Sequence, residues 1–277
     1  MDVNIHCFLV IIKKLRNHHT HKVLVSINQS INQSVSQSVM VGEEEGILSC
    51  LVGEKDSSLR HVFISISTSI SEISRAIRTT STDAVGSSNT FGDTQLVADL
   101  MAESVIRARL EQCEYVGVIS SEEHPEETVV SDAPEAVFSV AFDPLDGSSI
   151  IGSNFSVGSI FGVWKHRGFL GQSGRDMVGA AYAVYGPRTV MVCAYQIGGE
   201  DTCVDEYTLF DDSQGWKLTK KNIRLEERKK LFAPANLRAS KDNEEYASLM
   251  RQWMEQQYTL RYTGGMVPDI HNIITKV

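Results

Sequence analysis

The sequence predicts an α+β protein in which helices and sheets lie in layers, and three observations carry that prediction. The chain has 277 residues, 42% hydrophobic and 22% charged, enough to bury a sizeable core. Helix-like and strand-like runs are both present, but they do not alternate as regular β-α-β units, which disfavours a doubly wound nucleotide fold. The sequence also contains no Walker loop and no GxGxxG fingerprint.

In chain order, residues 1–41 contain one acid, Asp2, against four lysines and arginines, and Ser26 to Val39 reads SINQSINQSVSQSV, a four-residue repeat. Low-complexity text of this kind builds no packed core, so 1–41 is predicted to be a disordered leader. Ser-rich, acid-poor leaders also serve as targeting segments, but this one has a single arginine. From Gly42 the composition becomes mixed and globular. Residues 95–113, QLVADLMAESVIRARLEQC, carry apolar side chains at 96, 97, 100, 101, 105, 106 and 110, the spacing of an amphipathic helix. YVGVIS (115–120) predicts a short strand, and AVFSVAF (136–142) a second that runs into an acidic motif. FSVGSIFGVW (155–164) predicts a strand whose glycines mark close packing. DMVGAAYAVYG (176–186) predicts a helix ending at Gly186-Pro187. TVMVCAY (189–195) and EYTLF (206–210) predict two more strands. Asp242 is placed to cap a helix reaching Gln257, with Tyr246, Met250 and Trp253 on one face.

The formal net charge of −9 argues against non-specific binding to nucleic acid or to an anionic membrane. It leaves room for an anionic small molecule, because local cations reverse the field inside a cleft. The apolar run CFLVII (7–12) is far shorter than the ~20 residues of a spanning helix. Its lysines follow the run instead of preceding it, unlike a signal peptide. The five cysteines, Cys7, Cys50, Cys113, Cys193 and Cys203, are odd in number and lack metal-ligand spacing, as in a reducing compartment.

The stretch that carries chemistry is VAFDPLDGSSI, Val140 to Ile150. Asp143 and Asp146 stand i, i+3 across Pro144, which is predicted to end the strand and let both carboxylates converge. Two carboxylates that close repel unless they are protonated or bridged by a cation. Mg2+ suits carboxylate and carbonyl oxygens, and the Leu145 carbonyl lies between the two aspartates. Gly147, Ser148 and Ser149 offer backbone N–H groups and two hydroxyls, and a helix starting there would hold a phosphate. Asp-Pro and Asp-Gly are also common turn dipeptides, so a helix cap stands as the alternative. Two further acidic groups shift the balance. Glu122 and Glu123 follow the 115–120 strand, although adjacent glutamates are more often solvated surface. Asp99 lies among apolar neighbours on its helix, where an unpaired carboxylate is costly. Together these five acids can form a site for two or more metal ions without His or Cys.

FDPLDGSS, preceded by SEE and by an Asp-bearing helix, resembles the metal-dependent sugar bisphosphatases, the family of fructose-1,6-bisphosphatase and sedoheptulose-1,7-bisphosphatase. Its wider superfamily includes the inositol monophosphatases. The spacing from Asp99 to Glu122 to Asp143 fits that family. FGDTQLVADLMAE, NFSVGSIFGVW, YGPRTVMV, LFAPANLRAS and YTLRYTGGMVPD resemble its seven-carbon branch. The resemblance covers 91–277 and is faint over 42–90.

The resemblance implies a layered α-β-α-β-α sugar phosphatase fold with its C-terminal part truncated. A metal- and phosphate-binding domain would occupy 42–215, and the incomplete start of a sugar-binding domain 216–277. Asp99, Glu122, Asp143, Asp146 and the Leu145 carbonyl are implied as metal ligands, and Glu123 and Asp93 as groups that help activate the attacking water. Gly147, Ser148 and Ser149, with Asp146, are implied as the cradle of the 1-phosphate. Asn236, Arg261, Tyr262, Gly264 and Met266 are implied to hold the sugar and its distal phosphate. The implied reaction is Mg2+-dependent hydrolysis of the 1-phosphate of sedoheptulose 1,7-bisphosphate to sedoheptulose 7-phosphate and phosphate. That places it in carbohydrate metabolism, of the Calvin cycle or pentose phosphate kind. Two or more Mg2+ ions per site are implied, with Mn2+ as a substitute, in a homodimer or homotetramer. No side chain is an obvious nucleophile, so in-line attack by water without a phospho-enzyme is expected. The alternatives are fructose 1,6-bisphosphate as substrate, an inositol-phosphate or nucleotide phosphatase of the same superfamily, or an inactive truncated relative.

Two departures bear on these expectations. The family continues past GGMVPD with one more glutamate ligand and with lysine and tyrosine contacts to the phosphates, whereas this sequence stops at Val277. Plastid members carry a cysteine pair just before FGD. Here that segment is TTSTDAVGSSNTFGD (Thr79 to Asp93), without cysteine. Disulfide switching of that kind is not expected, and a cytoplasmic location is favoured over a plastid one.

Overall fold

The computed structural model describes residues 57–88, 94–197, 201–210, 215–224, 230–234 and 236–275. The leader 1–41 and Asp93 lie outside them. One eight-stranded sheet organises these residues, in the order β10-β9-β8-β7-β6-β5-β3-β4. Its strands are β3 (Val116–Ser121), β4 (Thr128–Val129), β5 (Phe138–Asp146), β6 (Val157–Trp164), β7 (Met177–Tyr185), β8 (Thr189–Ile197), β9 (Asp201–Leu209) and β10 (Trp216–Lys220). Every neighbouring pair is antiparallel except β3 and β5, which run parallel. Helices α1 (Ser57–Ala76) and α2 (Val97–Glu111) pack on each other and cover one face, and α4 (Met266–Thr275) covers β6 and β7 on the other. The short strands β1 (Ala84–Ser88) and β2 (Thr94–Leu96) pair before α2. β11 (Leu231–Phe232) and β12 (Thr259–Leu260) pair in parallel beside α3 (Glu244–Glu255). This is the expected α+β class, with helices and sheet in layers.

The two faces of the sheet define two cores. Val62, Phe63, Ile66, Ile70 and Ile73 of α1 and Ala98, Ala102, Ile106 and Leu110 of α2 meet Phe138, Val140, Phe142, Phe161 and Val163. On the opposite face Ile160, Tyr182, Val184 and Val192 meet Val267 and Ile274 of α4. Among the described residues no helix is long and apolar enough to cross a membrane. Cys113 and Cys193 are buried, Cys203 is half-buried, and all three are free thiols.

Residues 176–186 are corrected from helix to strand β7. Ala181, Ala183 and Tyr185 enter one core while Ala180, Tyr182 and Val184 enter the other. A strand buried on both faces shows no polar alternation, so it reads as a continuous apolar run that periodicity cannot tell from a helix. Helix α3 is capped by Asn243, not Asp242: the Asn243 side chain accepts from the Tyr246 N–H at 3.0 Å. Asp242 instead closes the 3-10 turn Leu237–Lys241 that precedes it. Helix α1 went unread because its buried stripe includes Ser67, Ser69, Ser71 and Ser74. These hydroxyls are satisfied locally or by the sheet. Ser69 donates to the Ile66 carbonyl at 2.7 Å, Ser71 accepts from Trp216 Nε1 at 2.9 Å, and Ser74 meets Thr189 at 2.5 Å.

Candidate active site

The acidic motif lies at the end of the sheet where β3 and β5 run side by side. Their parallel register sets Ser121 against Phe142, so Glu122 follows directly beside Asp143, and the Glu122 N–H donates to the Phe142 carbonyl at 3.1 Å. Carboxyl ends of adjacent parallel strands are where open sheets place ligands. Strand β5 does not stop at Pro144 as expected but continues to Asp146. Its pairing with β6 slips: Asp143 faces Ile160 while Asp146 faces Gly158, so β5 holds one extra residue. In a regular strand, residues three apart point to opposite faces. The bulge cancels that offset and brings both carboxylates to the same side. Pro144 suits the bulge because it has no N–H to donate to a ladder. Its carbonyl accepts from the buried Ser159 hydroxyl at 2.7 Å.

Each acid is set by a local contact. Asp99 is buried in the first turn of α2 and accepts from the Leu96 N–H at 2.9 Å. Asp143 accepts from the Leu145 N–H at 3.1 Å, and Leu145 itself is buried. Asp146, also buried, accepts from the Val267 N–H at 2.7 Å, tying β5 to the start of α4. Glu123 accepts from the Gln95 amide. Among the described residues none of Asp99, Glu122, Glu123 and Asp143 pairs with a lysine, arginine or histidine.

The electrostatics follow from this crowding. Burial, then the charges of Glu122 and Asp146, hold the Asp143 carboxyl well above the usual range, and a hydrogen bond with Glu122 adds to the shift. Burial pushes Glu123 up to about 7, helped by the charges of Asp99, Glu122 and Glu103 and opposed by Gln95. Burial also raises Asp99, against the Leu96 N–H and the Ser148 hydroxyl, which both favour its anion. Such a group is unfavourable as a set of free anions, and hard divalent cations fit its all-oxygen donors. Among the described residues no three acids, histidines or cysteines already stand in coordinating geometry. The set is therefore a fit by chemistry and proximity, not a preformed cage.

Beside the acids lies a glycine-lined turn. Gly147 has φ +81°, and a Cβ there would come within 3.0 Å of the Gly265 Cα. A Cβ on Gly265 would in turn meet an Asp146 oxygen at 3.4 Å. Ser148 opens the 3-10 helix Ser148–Ser153, and Ser149 is exposed. The structure thus brings Asp99, Glu122, Glu123, Asp143, Leu145, Asp146, Gly147 and Ser148 together, with Gly264, Gly265 and Met266 alongside. Arg261, Tyr262 and Asn236 belong to the β11–β12 region and are exposed. Arg261 donates its N–H to the Phe232 carbonyl and its guanidinium to the Leu260 carbonyl, each at 3.0 Å, and Asn236 accepts from the Arg238 N–H. The sequence reading missed Gln95, Glu103 and Asp269. Asp269 is buried and accepts from the Thr263 N–H at 2.9 Å, which shapes the loop over Asp146. For Glu103 a signal existed, since it follows Asp99 by one helical turn.

Comparison with known proteins gives one family for the chain. The family model for Fructose-1-6-bisphosphatase, N-terminal domain, matches residues 47–221, and that for its C-terminal domain matches 225–277. The chloroplastic sedoheptulose-1,7-bisphosphatase of Spinacia oleracea is 42% identical over 221 residues, 80% of this chain and 56% of that protein. A class 1 fructose-1,6-bisphosphatase of Trichlorobacter lovleyi is 36% identical over 79% of this chain and 67% of that protein. The holo crystal structure of Leishmania major fructose-1,6-bisphosphatase superposes with a TM-score of 0.70 at 27% identity, covering 83% of this chain and 75% of that one. The chain spans a little over half the length of the plant relative it matches.

Proposed function

Because the chain belongs to the fructose-1,6-bisphosphatase family, we propose that its acidic cluster hydrolyses one phosphate of a sugar bisphosphate. The observation that carries this reading is the bulge in β5, which aims Asp143 and Asp146 to one side next to Glu122, with the Gly147 turn adjoining. In this reading Asp99, Glu122, Asp143, Asp146 and the Leu145 carbonyl hold divalent cations, Mg2+ in the first instance. Bound cations would supply the acidification of a water and the neutralisation of phosphoryl charge that phosphate-ester hydrolysis requires. Glu123, pushed up to about 7, is a base of suitable strength at neutral pH, and it takes the proton of the attacking water. Asp93 assists from the segment before β2. The N–H groups and hydroxyls of Gly147, Ser148 and Ser149 receive the 1-phosphate. Asn236, Arg261, Tyr262, Gly264 and Met266 hold the rest of the sugar, so residues 42–215 bind metal and phosphate and 216–277 begin the sugar site.

The seven-carbon substrate, sedoheptulose 1,7-bisphosphate, is favoured over fructose 1,6-bisphosphate. The support is an identity of 40–42% to plant and algal sedoheptulose bisphosphatases against 36% to the bacterial fructose enzyme. The test is phosphate release by the purified chain with Mg2+ and each sugar in turn. Faster release from the seven-carbon sugar is expected. Equal or faster release from the six-carbon sugar overturns the substrate assignment. No release from either, by a folded chain, overturns the activity.

A further inference from the structure

The turn that carries Glu122 and Glu123 is fastened to α2 by a residue that the functional reading leaves unused. Glu103 lies four residues after Asp99, on the same face of α2, and is 4% exposed. Its Oε1 accepts from the Ser121 hydroxyl at 3.0 Å and from the Arg107 guanidinium at 3.0 and 3.3 Å, and it meets His124 Nδ1 at 3.1 Å. Ser121 also closes the turn on itself. Its hydroxyl accepts from the His124 N–H at 2.9 Å, and its own N–H donates to the His124 carbonyl at 3.0 Å. The other Glu103 oxygen, Oε2, is buried with no hydrogen-bond partner among the described residues. A bare buried carboxylate oxygen is costly, and a neutral acceptor would tie the same turn at less cost.

We propose that Glu103 is a positioning residue. Through Ser121 and His124 it holds the 121–124 turn against α2, and so fixes where Glu122 and Glu123 stand relative to Asp99. The inference rests on the metal-site reading given above. Its consequence is that cation binding weakens when Glu103 is lost, although no proposed ligand has changed.

The test is Mn2+ binding to the full 277-residue chain, read by electron paramagnetic resonance, with thermal melts and the split between kcat and KM. The variants are Glu103→Ala, Glu103→Gln and Ser121→Ala. Removing partners that orient metal ligands weakens binding by about 10- to 100-fold, so Glu103→Ala and Ser121→Ala are expected to lose at least about tenfold in Mn2+ affinity. A similar fall in kcat is expected, with little change in KM. Glu103→Gln keeps the accepting oxygen and is expected to recover to within about threefold. If Glu103→Ala does not fold, Ser121→Ala and Glu103→Gln decide the matter. Variants that melt lower but bind Mn2+ like the parent overturn the positioning role alone. A parent chain that binds no Mn2+ overturns the metal-site reading and this inference with it.

Discussion

Asp143 is the residue on which the site's electrostatics concentrate: it is half-buried, next to Glu122 and Asp146, and its carboxyl is held well above the ordinary range. Asp143→Asn removes one of several mutually repelling charges and one proposed ligand. Turnover with Mg2+ is expected to fall by more than ~100-fold, the upper end for partners one step further from a metal. The metal-free variant should melt no lower than the parent, because the amide relieves repulsion in the cluster. Phosphate release and a thermal melt check the two halves, and near-normal turnover would sink the metal-site assignment. These acids drew notice in the sequence as groups, Glu122-Glu123 and Asp143-x-x-Asp146, but grouping alone left surface and helix-cap readings open, and their roles came from the family resemblance. Gln95 and Asp269 were not legible, because each is a single polar residue whose partner lies on another element. Glu103 stands one helical turn after Asp99, but its contacts with Ser121 and His124 form only in the fold. The bare Oε2 of Glu103 exists only once α2 and the 121–124 turn are packed together.

Gly158 shows how strand packing serves the site at the level of elements. A Cβ at this position would lie 2.5 Å from the Val267 side chain and 2.6 Å from the Ala183 carbonyl. Gly158 is also the residue paired with Asp146 across the bulge. The missing side chain lets α4 press on the sheet, which in turn lets the Val267 N–H reach Asp146 at 2.7 Å. Gly158→Ala is therefore expected to push α4 outward and destabilise the chain by about 1–3 kcal/mol. Amide exchange at Val267 should accelerate by more than at core amides of β8. Unchanged exchange there would mean that α4 is held by other contacts. The sequence reading anticipated tight packing at the glycines of this strand, and it found five strands of the large sheet, β3, β5, β6, β8 and β9, because turns or polar residues bound them. It misread β7 because a strand sandwiched between two cores has no polar face to reveal its period. It misplaced the end of β5 because a proline that breaks a regular strand is tolerated in a bulge.

For the whole molecule, the raised carboxylates tie folding stability to pH and to cations. Glu123 moves from 4.5 to about 7 on folding. Between those two values the folded chain binds more protons than the unfolded chain, so stability falls as pH rises, and the penalty is complete above 7. Asp99 and Asp143 are also raised by burial and act in the same direction. Asp176, lowered by its hydrogen bonds to Ser173, acts oppositely, but only around and below the ordinary carboxylate range. The Glu123 share is on the order of 2 kcal/mol once its partial exposure is allowed for. Glu123→Gln removes that share, since a glutamine resembles the protonated acid at every pH. With a chelator present, the parent is expected to melt about 4–8 °C below Glu123→Gln at pH 7.5. The gap should shrink toward zero at pH 5, where Glu123 is protonated in the folded chain. Saturating Mg2+ at pH 7.5 should also close it, because a ligand that binds only the folded, deprotonated cluster stabilises by mass action. A gap that is equal at both pH values, and indifferent to Mg2+, would mean that the carboxylates are not electrostatically joined in one cluster. In that case the parallel ends of β3 and β5 would be a structural seam and not a cation site.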